Sequence, residues 1–467
     1  MANKNIGTVE EITTVQQKDT VLVETGGSLK RISPDNLGKS INMLSSEDSN
    51  SYGVEIDPSV SSPDLARIGN AELHRSLPVQ SKMRGCLLSD DGTVAAYLPS
   101  DSWVGSTLDG TKGQVMVEVP EHWMKFETVA GKLRVRTSAV ELQGYTHVQK
   151  YYVGAYEAAV DRTNNKLCSV KNTTAQYRGG NNDSKTDGTA KTQLGMPATG
   201  LSLASFRNYA RARKTGSTEW NAMPYTLYAD LYWLFVTEYA TLNSQAPYNG
   251  EPTAEGYRQG GLGDGVTTLD WSKWNTLNGT YPVIRCGYTD ELGNGTGVKD
   301  YTMPTEYGED GKKVSVPRYR GIENPFGHVW EKTDGILVEV NPTEENGGNG
   351  LSRVLVCEDP AKFADTPVDG YNHIGNEDRE GGFVKEILFG DKGYILPKTC
   401  TGGSSSTYFC DNHSVNVKNT AVEVRGVLFG GSAFSGSSAG FAFAYSAYAP
   451  SNSNPYFGSR LCFFATA

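Results

Sequence analysis

Val424-Arg425-Gly426-Val427-Leu428-Phe429-Gly430-Gly431-Ser432 and Phe457-Gly458-Ser459-Arg460-Leu461-Cys462-Phe463 bracket the stretch on which the reading of this chain turns. No charged residue occurs from Gly426 through Ser459, and Ser432 to Phe457 is written entirely in Ser, Ala, Phe, Tyr, Gly, Asn and Pro. Tyr and Phe give large rigid contact area at low entropic cost, while Ser, Asn and Gly adapt their hydrogen bonding. The composition therefore suits a binding surface built on strands and loops.

Phe441, Phe443 and Tyr445 alternate with Ala442 and Ala444. A strand here puts all three rings on one face. That face is either core or surface. A run of rings with no Leu, Ile or Val is unusual for a core strand. We therefore expect Phe434, Phe443, Tyr445, Tyr448 and Tyr456 at the surface and Phe441 in the scaffold.

The 467 residues allow roughly two or three domains. With 37% hydrophobic and 21% charged residues, a buried core is feasible. The 53 glycines, 20 prolines and 25 tyrosines point to a loop-rich, strand-rich molecule. A formal net charge of -10, with no Lys/Arg run, argues against nucleic-acid binding and against electrostatic docking on an anionic bilayer. No segment has the apolar length to span a membrane. Met1 to Glu11 lacks the basic and apolar regions of a secretory signal, so synthesis in a cytoplasm without ordinary export is expected. The seven cysteines, Cys86, Cys168, Cys286, Cys357, Cys400, Cys410 and Cys462, form no CxxC pair and read first as buried free thiols. Pairing of Cys400 with Cys410 after release from a cell is the alternative.

Along the chain, Asp19 to Glu24 and Leu29 to Ile32 flank Thr25-Gly26-Gly27-Ser28, a hairpin signal within a small unit at 1–43. Such a hairpin needs a partner, most simply copies of itself. The polar, aperiodic stretch 44–62 reads as a linker. Beyond Pro63, strands are expected at Val94–Leu98, Val115–Val119, Tyr151–Ala155, Val283–Arg285 and Val354–Val356. Residues 172–199 form a polar, Gly-rich loop. Ser202 is an N-cap candidate for a helix over 202–213, with Leu203, Phe206 and Ala210 at helical spacing and Gly216 stopping the run. A second helix over 224–242 starts with Pro224 at N1 and presents Leu227, Leu231, Leu234 and Phe235 on one face, with Tyr228 and Tyr232 beside it. The fold class is α+β.

Gly327-His328-Val329-Trp330, Gly430-Gly431-Ser432 and Gly458-Ser459-Arg460-Leu461 together resemble the motif series of the C-type-lectin-like fold shared by formylglycine-generating enzymes and by variable proteins of diversity-generating retroelements. The resemblance covers about residues 80 to 467. His328 stands where the family has Asn, Phe429 where it has Arg, and Ser459 where it has Phe. Trp330 should be a buried anchor below the binding segment. The two helices fit the two helices of that fold. The enzyme branch would need a catalytic cysteine pair in the penultimate part of the fold, and no Cys lies between Cys410 and Cys462, so no enzyme is expected.

In the variable-protein branch, adenines of a template are miscopied, so AAC codons diversify into Tyr, Ser, Phe, Ala, Gly or Asp. That branch implies a variable segment at 426–463. Its ligand-binding positions would be Phe434, Ser435, Ser438, Phe443, Tyr445, Ser446, Tyr448, Asn452, Asn454 and Tyr456, on a scaffold of Gly430, Gly431, Gly440, Pro450, Gly458 and Arg460. The N-terminal unit looks like the start of many phage tail-fibre and tail-tip proteins. The combined reading resembles phage receptor-binding proteins of the major tropism determinant type. It implies a homotrimer made in the host cytoplasm and carried on the virion. The N-terminal module 1–43 would contact other tail proteins, and an elaborated lectin-like domain at 63–467 would bind a host-cell surface receptor, glycan or protein. A structural tail or baseplate component without receptor role, and a host cell-surface adhesin, are the other classes.

No cofactor and no metal are expected. Asp369, His373, Asp411 and His413 match no standard metal spacing, and the calcium triplets Glu-Pro-Asn and Trp-Asn-Asp are absent. Gly260 to Gly265 has no strand-then-helix frame and reads as a surface loop, not a phosphate loop.

Overall fold

The computed structural model describes residues 47–270, 282–308 and 311–464, together with the strands Val21–Thr25 and Ser28–Ile32. Those two strands pair antiparallel with Thr25 opposite Ser28, the hairpin expected around Gly26-Gly27. The rest of the unit at 1–43 lies outside the described residues.

The rest is mixed and strand-rich. A five-stranded sheet runs in the order Thr146–Val148, His122–Val129, Lys132–Ser138, Tyr52–Ile56, Ala66–Gly69. The expected linker at 44–62 is therefore corrected. Tyr52, Val54 and Ile56 alternate inward at 0%, 0% and 5% exposure and pair with both neighbours. Ser-rich flanks hid a two-residue apolar period, the mark of a strand with one covered face.

A six-stranded sheet joins Trp220–Ala222, Leu461–Phe464, Tyr151–Gly154, Gln114–Val119, Arg84–Leu88 and Val94–Tyr97. Three of these are strands expected from sequence, found within a residue or two of their expected bounds. A third sheet runs Asn372–Asn376, Ser352–Val356, Trp330–Val340, Glu423–Gly430, Gly440–Tyr445, Asn412–Ser414, Gly382–Phe383, with Phe457–Gly458 pairing parallel to Trp330–Val340.

The helix Leu203–Arg211 is capped by Ser202, whose hydroxyl accepts from the Ser205 amide. It buries Leu203, Phe206 and Ala210 as expected, and also Arg207, which forks onto Asp334 at 2.7 and 2.9 Å. The helix Tyr225–Tyr239 has Pro224 as its N-cap, one position earlier than N1. It is covered on all sides, and every residue except Thr226 and Leu227 is buried. A helix buried all round belongs in the middle of a molecule, and its Asp230 and Glu238 are paired there with Tyr151 and Arg320. The expected single stripe understated it because Tyr228 and Tyr232 are also core residues. Tyr228 donates to the Phe441 carbonyl at 2.8 Å and stacks on Phe429.

Val283–Arg285 is not a strand. Val283 and Ile284 are buried in a loop whose amides donate to His328 Nε2 at 3.0 and 3.1 Å. A side chain takes the place of a sheet partner there, which satisfies the same buried donors.

Candidate functional site

The strand Trp330–Val340 carries the site. Trp330 is 5% exposed. Its ring lies against Phe443 at 4.5 Å and Tyr445 at 5.0 Å, and its amide donates to the Tyr456 carbonyl at 2.9 Å. The neighbouring strand Glu423–Gly430 ends in Gly430 and Gly431, both at positive φ (91° and 85°), a turn that L side chains rarely enter. The chain then crosses residues 431–439 and returns as Gly440–Tyr445. Gly440 is required there because a Cβ would sit 1.8 Å from Asp411 Oδ1.

Gly440–Tyr445 corrects part of the expected surface. Phe441 is scaffold, as read, and packs against Tyr228, Tyr232, Phe235, Tyr319 and Phe326. Phe443 is also core, 4% exposed, because the Trp330 ring packs against it. Ser446 is 0% exposed, and its hydroxyl donates to Glu377 Oε1 at 2.7 Å. Neither Phe443 nor Ser446 lies at the surface. The strand has neighbours on both faces, so alternation could not separate an inner from an outer set.

The remaining eight expected residues are half-buried: Phe434, Ser435, Ser438, Tyr445, Tyr448, Asn452, Asn454 and Tyr456. Tyr445, Tyr448, Asn454 and Tyr456 come together. Tyr445 meets Tyr448 edge-on at 5.2 Å, Tyr448 and Tyr456 each meet Phe457, and Asn454 Nδ2 donates to the Tyr456 hydroxyl at 3.2 Å. Burial, followed by the hydrogen bond with Tyr448, raises the Tyr445 phenol and pushes the Tyr456 phenol up to about 12. Tyr445 and Tyr456 therefore present neutral hydroxyls. Phe434 packs with Tyr456 against a satellite core containing Val266, Ile284 and Val329. Ser435 receives the Ser432 amide on its hydroxyl at 2.9 Å, closing the turn at 431–439.

The loop carrying Tyr448 and Asn454 is tied down by its backbone. The carbonyls of Tyr448, Pro450, Asn454 and Tyr456 accept from the amides of Gly426, Leu203, Gly200 and Trp330. Ser437, Ser451 and Ser453 are the exposed residues of the segment. None was among the ten expected positions, because serines among small and polar neighbours carry no periodic signal.

Two buried cations lie beside the segment. Lys332 is 3% exposed, with its Nζ 3.4 Å from the Pro450 carbonyl and 5.1 Å from the Phe457 ring. Burial pushes its amine down to about 8, with Asp365 opposing. Arg460 is 1% exposed and donates to the carbonyls of Gly154, Glu323 and Asn324, joining the closing strand to the body. Beside it, burial pushes Glu331 up to about 7, with Arg460 opposing.

The three motif departures all serve the core. Phe429 is stacked on Tyr225 and Tyr228. His328 donates from Nδ1 to Glu157 at 2.5 Å while Nε2 takes the two loop amides. Ser459 donates to the Lys332 carbonyl.

All seven cysteines are free and buried, Cys400 and Cys410 among them. Among the described residues no group of three His, Cys, Asp or Glu is placed to hold a metal ion, and no helix is long and apolar enough to cross a membrane. A cleft of about 740 Å³ beside Ile56 and Phe389, and a groove of about 560 Å³ beside Asp230 and Tyr394, are built by other elements and include none of the ten expected residues.

No family model and no curated protein matches the sequence. Among solved structures, one described as the Major Tropism Determinant U1 variant is similar to this chain. It is 11% identical over 82% of this chain and 71% of that chain, with a TM-score of 0.26.

Proposed function

We infer that the chain is a phage receptor-binding protein that recognises a host-cell surface ligand through the ledge formed by Tyr445, Tyr448, Asn454 and Tyr456, with Phe434, Ser435, Ser438 and Asn452 at its margin. The observation that carries this reading is the combination found there. Three half-buried tyrosines stand on a charge-free segment whose backbone is held at four points. Rigid aromatic anchors with a polar handle are what interface hot spots use, and pre-ordering the loop lowers the entropic cost of binding. The same reading takes 426–463 as the diversified segment of a C-type-lectin-like domain. It takes 1–43 as the module that joins three copies and attaches them to the tail.

Two experiments test it. Tyr448→Ala should reduce attachment to susceptible cells, and three linked sites would enlarge a modest loss per site. A folded Tyr448→Ala protein that attaches like the parent overturns the receptor role and favours a structural tail component. Light scattering of the full chain should return three times the monomer mass, and a monomer at micromolar concentration refutes the trimer.

A further inference from the structure

His413, on the strand Asn412–Ser414, is buried between two carbonyls. Its Nδ1 is 3.2 Å from the Ala444 oxygen and its Nε2 is 3.2 Å from the Asp378 oxygen. Carbonyl oxygens only accept. A neutral imidazole has one N–H to give, so one of these contacts then sets lone pair against lone pair. Glu377 supplies what is missing. Its Oε2 lies 3.8 Å from His413 Nε2 and has no hydrogen-bond partner, while its Oε1 holds the Ser446 hydroxyl. Glu377 is 4% exposed and His413 is 1% exposed, so both are shielded from water.

We propose that Glu377 and His413 share one exchangeable proton that holds the start of the ligand-binding loop at Ser446, making the order of that loop depend on pH. With the proton on the imidazole, both carbonyls receive an N–H and the carboxylate is balanced; with it on the carboxyl, which burial favours by raising Glu377 and lowering His413, both groups are neutral. Once it is lost, a buried carboxylate anion remains with one hydroxyl donor. The Ser446 hydroxyl is the carboxylate's one donor and the Ser446 amide is held by the Ser414 oxygen at 3.0 Å, so the pair acts on the chain where the loop leaves the strand.

The other titratable groups facing the pair are few. Asp378 is held by the amides of Glu380, Gly381 and Cys400, Arg379 reaches away to Asn341 and Ser352, and the Cys400 thiol is pushed up by burial. Asp411, two residues from His413, accepts the Ala442 amide and is raised by burial. Strand Gly440–Tyr445 turns only Ala442 and Ala444 toward them.

The sign follows from the carboxyl. Burial pushes Glu377 up to about 8, with Ser446 opposing, against an ordinary 4.5. The folded pair therefore keeps a proton that the unfolded chain has released. Its contribution is complete at low pH and is lost as pH rises through about 8.

The inference rests on the binding role proposed for this loop, but its test does not use a ligand. Amide hydrogen exchange of the full chain is followed by mass spectrometry at pH 6 and pH 9, with labelling times scaled for intrinsic rates. Peptides within 440–456 should lose protection by up to about a hundredfold between pH 6 and pH 9, since the carboxyl titrates near 8 when held and near 4.5 when released, while 114–154 does not change. Glu377→Gln, which mimics the protonated carboxyl, should show no such loss. Ser446→Ala should show reduced protection, at both pH values, of the Gly200, Leu203, Trp330 and Gly426 amides that donate to the loop's carbonyls. Unchanged protection of 440–456 in the parent overturns the proposal, as does a pH-dependent loss that persists in Glu377→Gln. Either result leaves the attachment experiment untouched, and failed attachment with the expected exchange pattern counts against the receptor role alone.

Discussion

Gly440–Tyr445 and the loop at 446–456 are drawn from the same small alphabet, with no charge in either, yet they end in different environments. The strand has a partner on each side and a layer on each face, so Phe441 and Phe443 are core. The loop gives up its carbonyls to four amides from elsewhere in the molecule and leaves Tyr448 and Tyr456 half in solvent. Composition alone does not distinguish a paratope from the wall behind it. What separates them is where the backbone finds its partners, because a strand paired on both edges brings its side chains between layers and a tethered loop does not.

The largest expected contrast is in stability. Phe443→Ala and Trp330→Ala should each cost about 3–5 kcal/mol, since each removes a ring from a packed pair. A melting temperature unchanged in Phe443→Ala would return that ring to the surface and erase the distinction drawn here. Next is Lys332, beneath the loop. Its amine is held below its ordinary pKa of 10.5, so the folded state disfavours the charged form, and stability should rise as pH goes from about 8 toward the unfolded value. Lys332→Met should therefore raise the melting temperature at pH 7, by about 1–3 kcal/mol in stability, with the advantage shrinking toward pH 10. A variant less stable than the parent at pH 7 would mean that the Pro450 contact and the Phe457 stacking outweigh desolvation. Smallest is Tyr448→Ala, expected to cost about 1 kcal/mol in stability because the ring is half-buried and the loop's tethers are main-chain. A loss comparable to that of Phe443→Ala would make the ledge core as well.

Much of the frame was legible. The N-cap at Ser202 and its apolar spacing located the first helix, and β-rich runs located Gln114–Val119, Tyr151–Gly154 and Ser352–Val356, because local propensity and burial agree at those places. Three things were not legible. Tyr52–Ile56 was masked by serines on either side. Val283 and Ile284 satisfy their amides on a histidine far away in sequence. The pairing of Glu377 with His413 and Ser446 joins three separate segments of one sheet and has no local signature.

The sequence by itself determined that residues 426–459 form an uncharged aromatic and small-residue segment and that helices begin near Ser202 and Pro224. Each of these follows from side-chain chemistry or from allowed backbone angles, which are local. Tertiary structure alone decided which rings are covered. Solvent exposure depends on what packs opposite a residue, and for Phe443 that is Trp330, a residue on a different strand more than a hundred positions earlier.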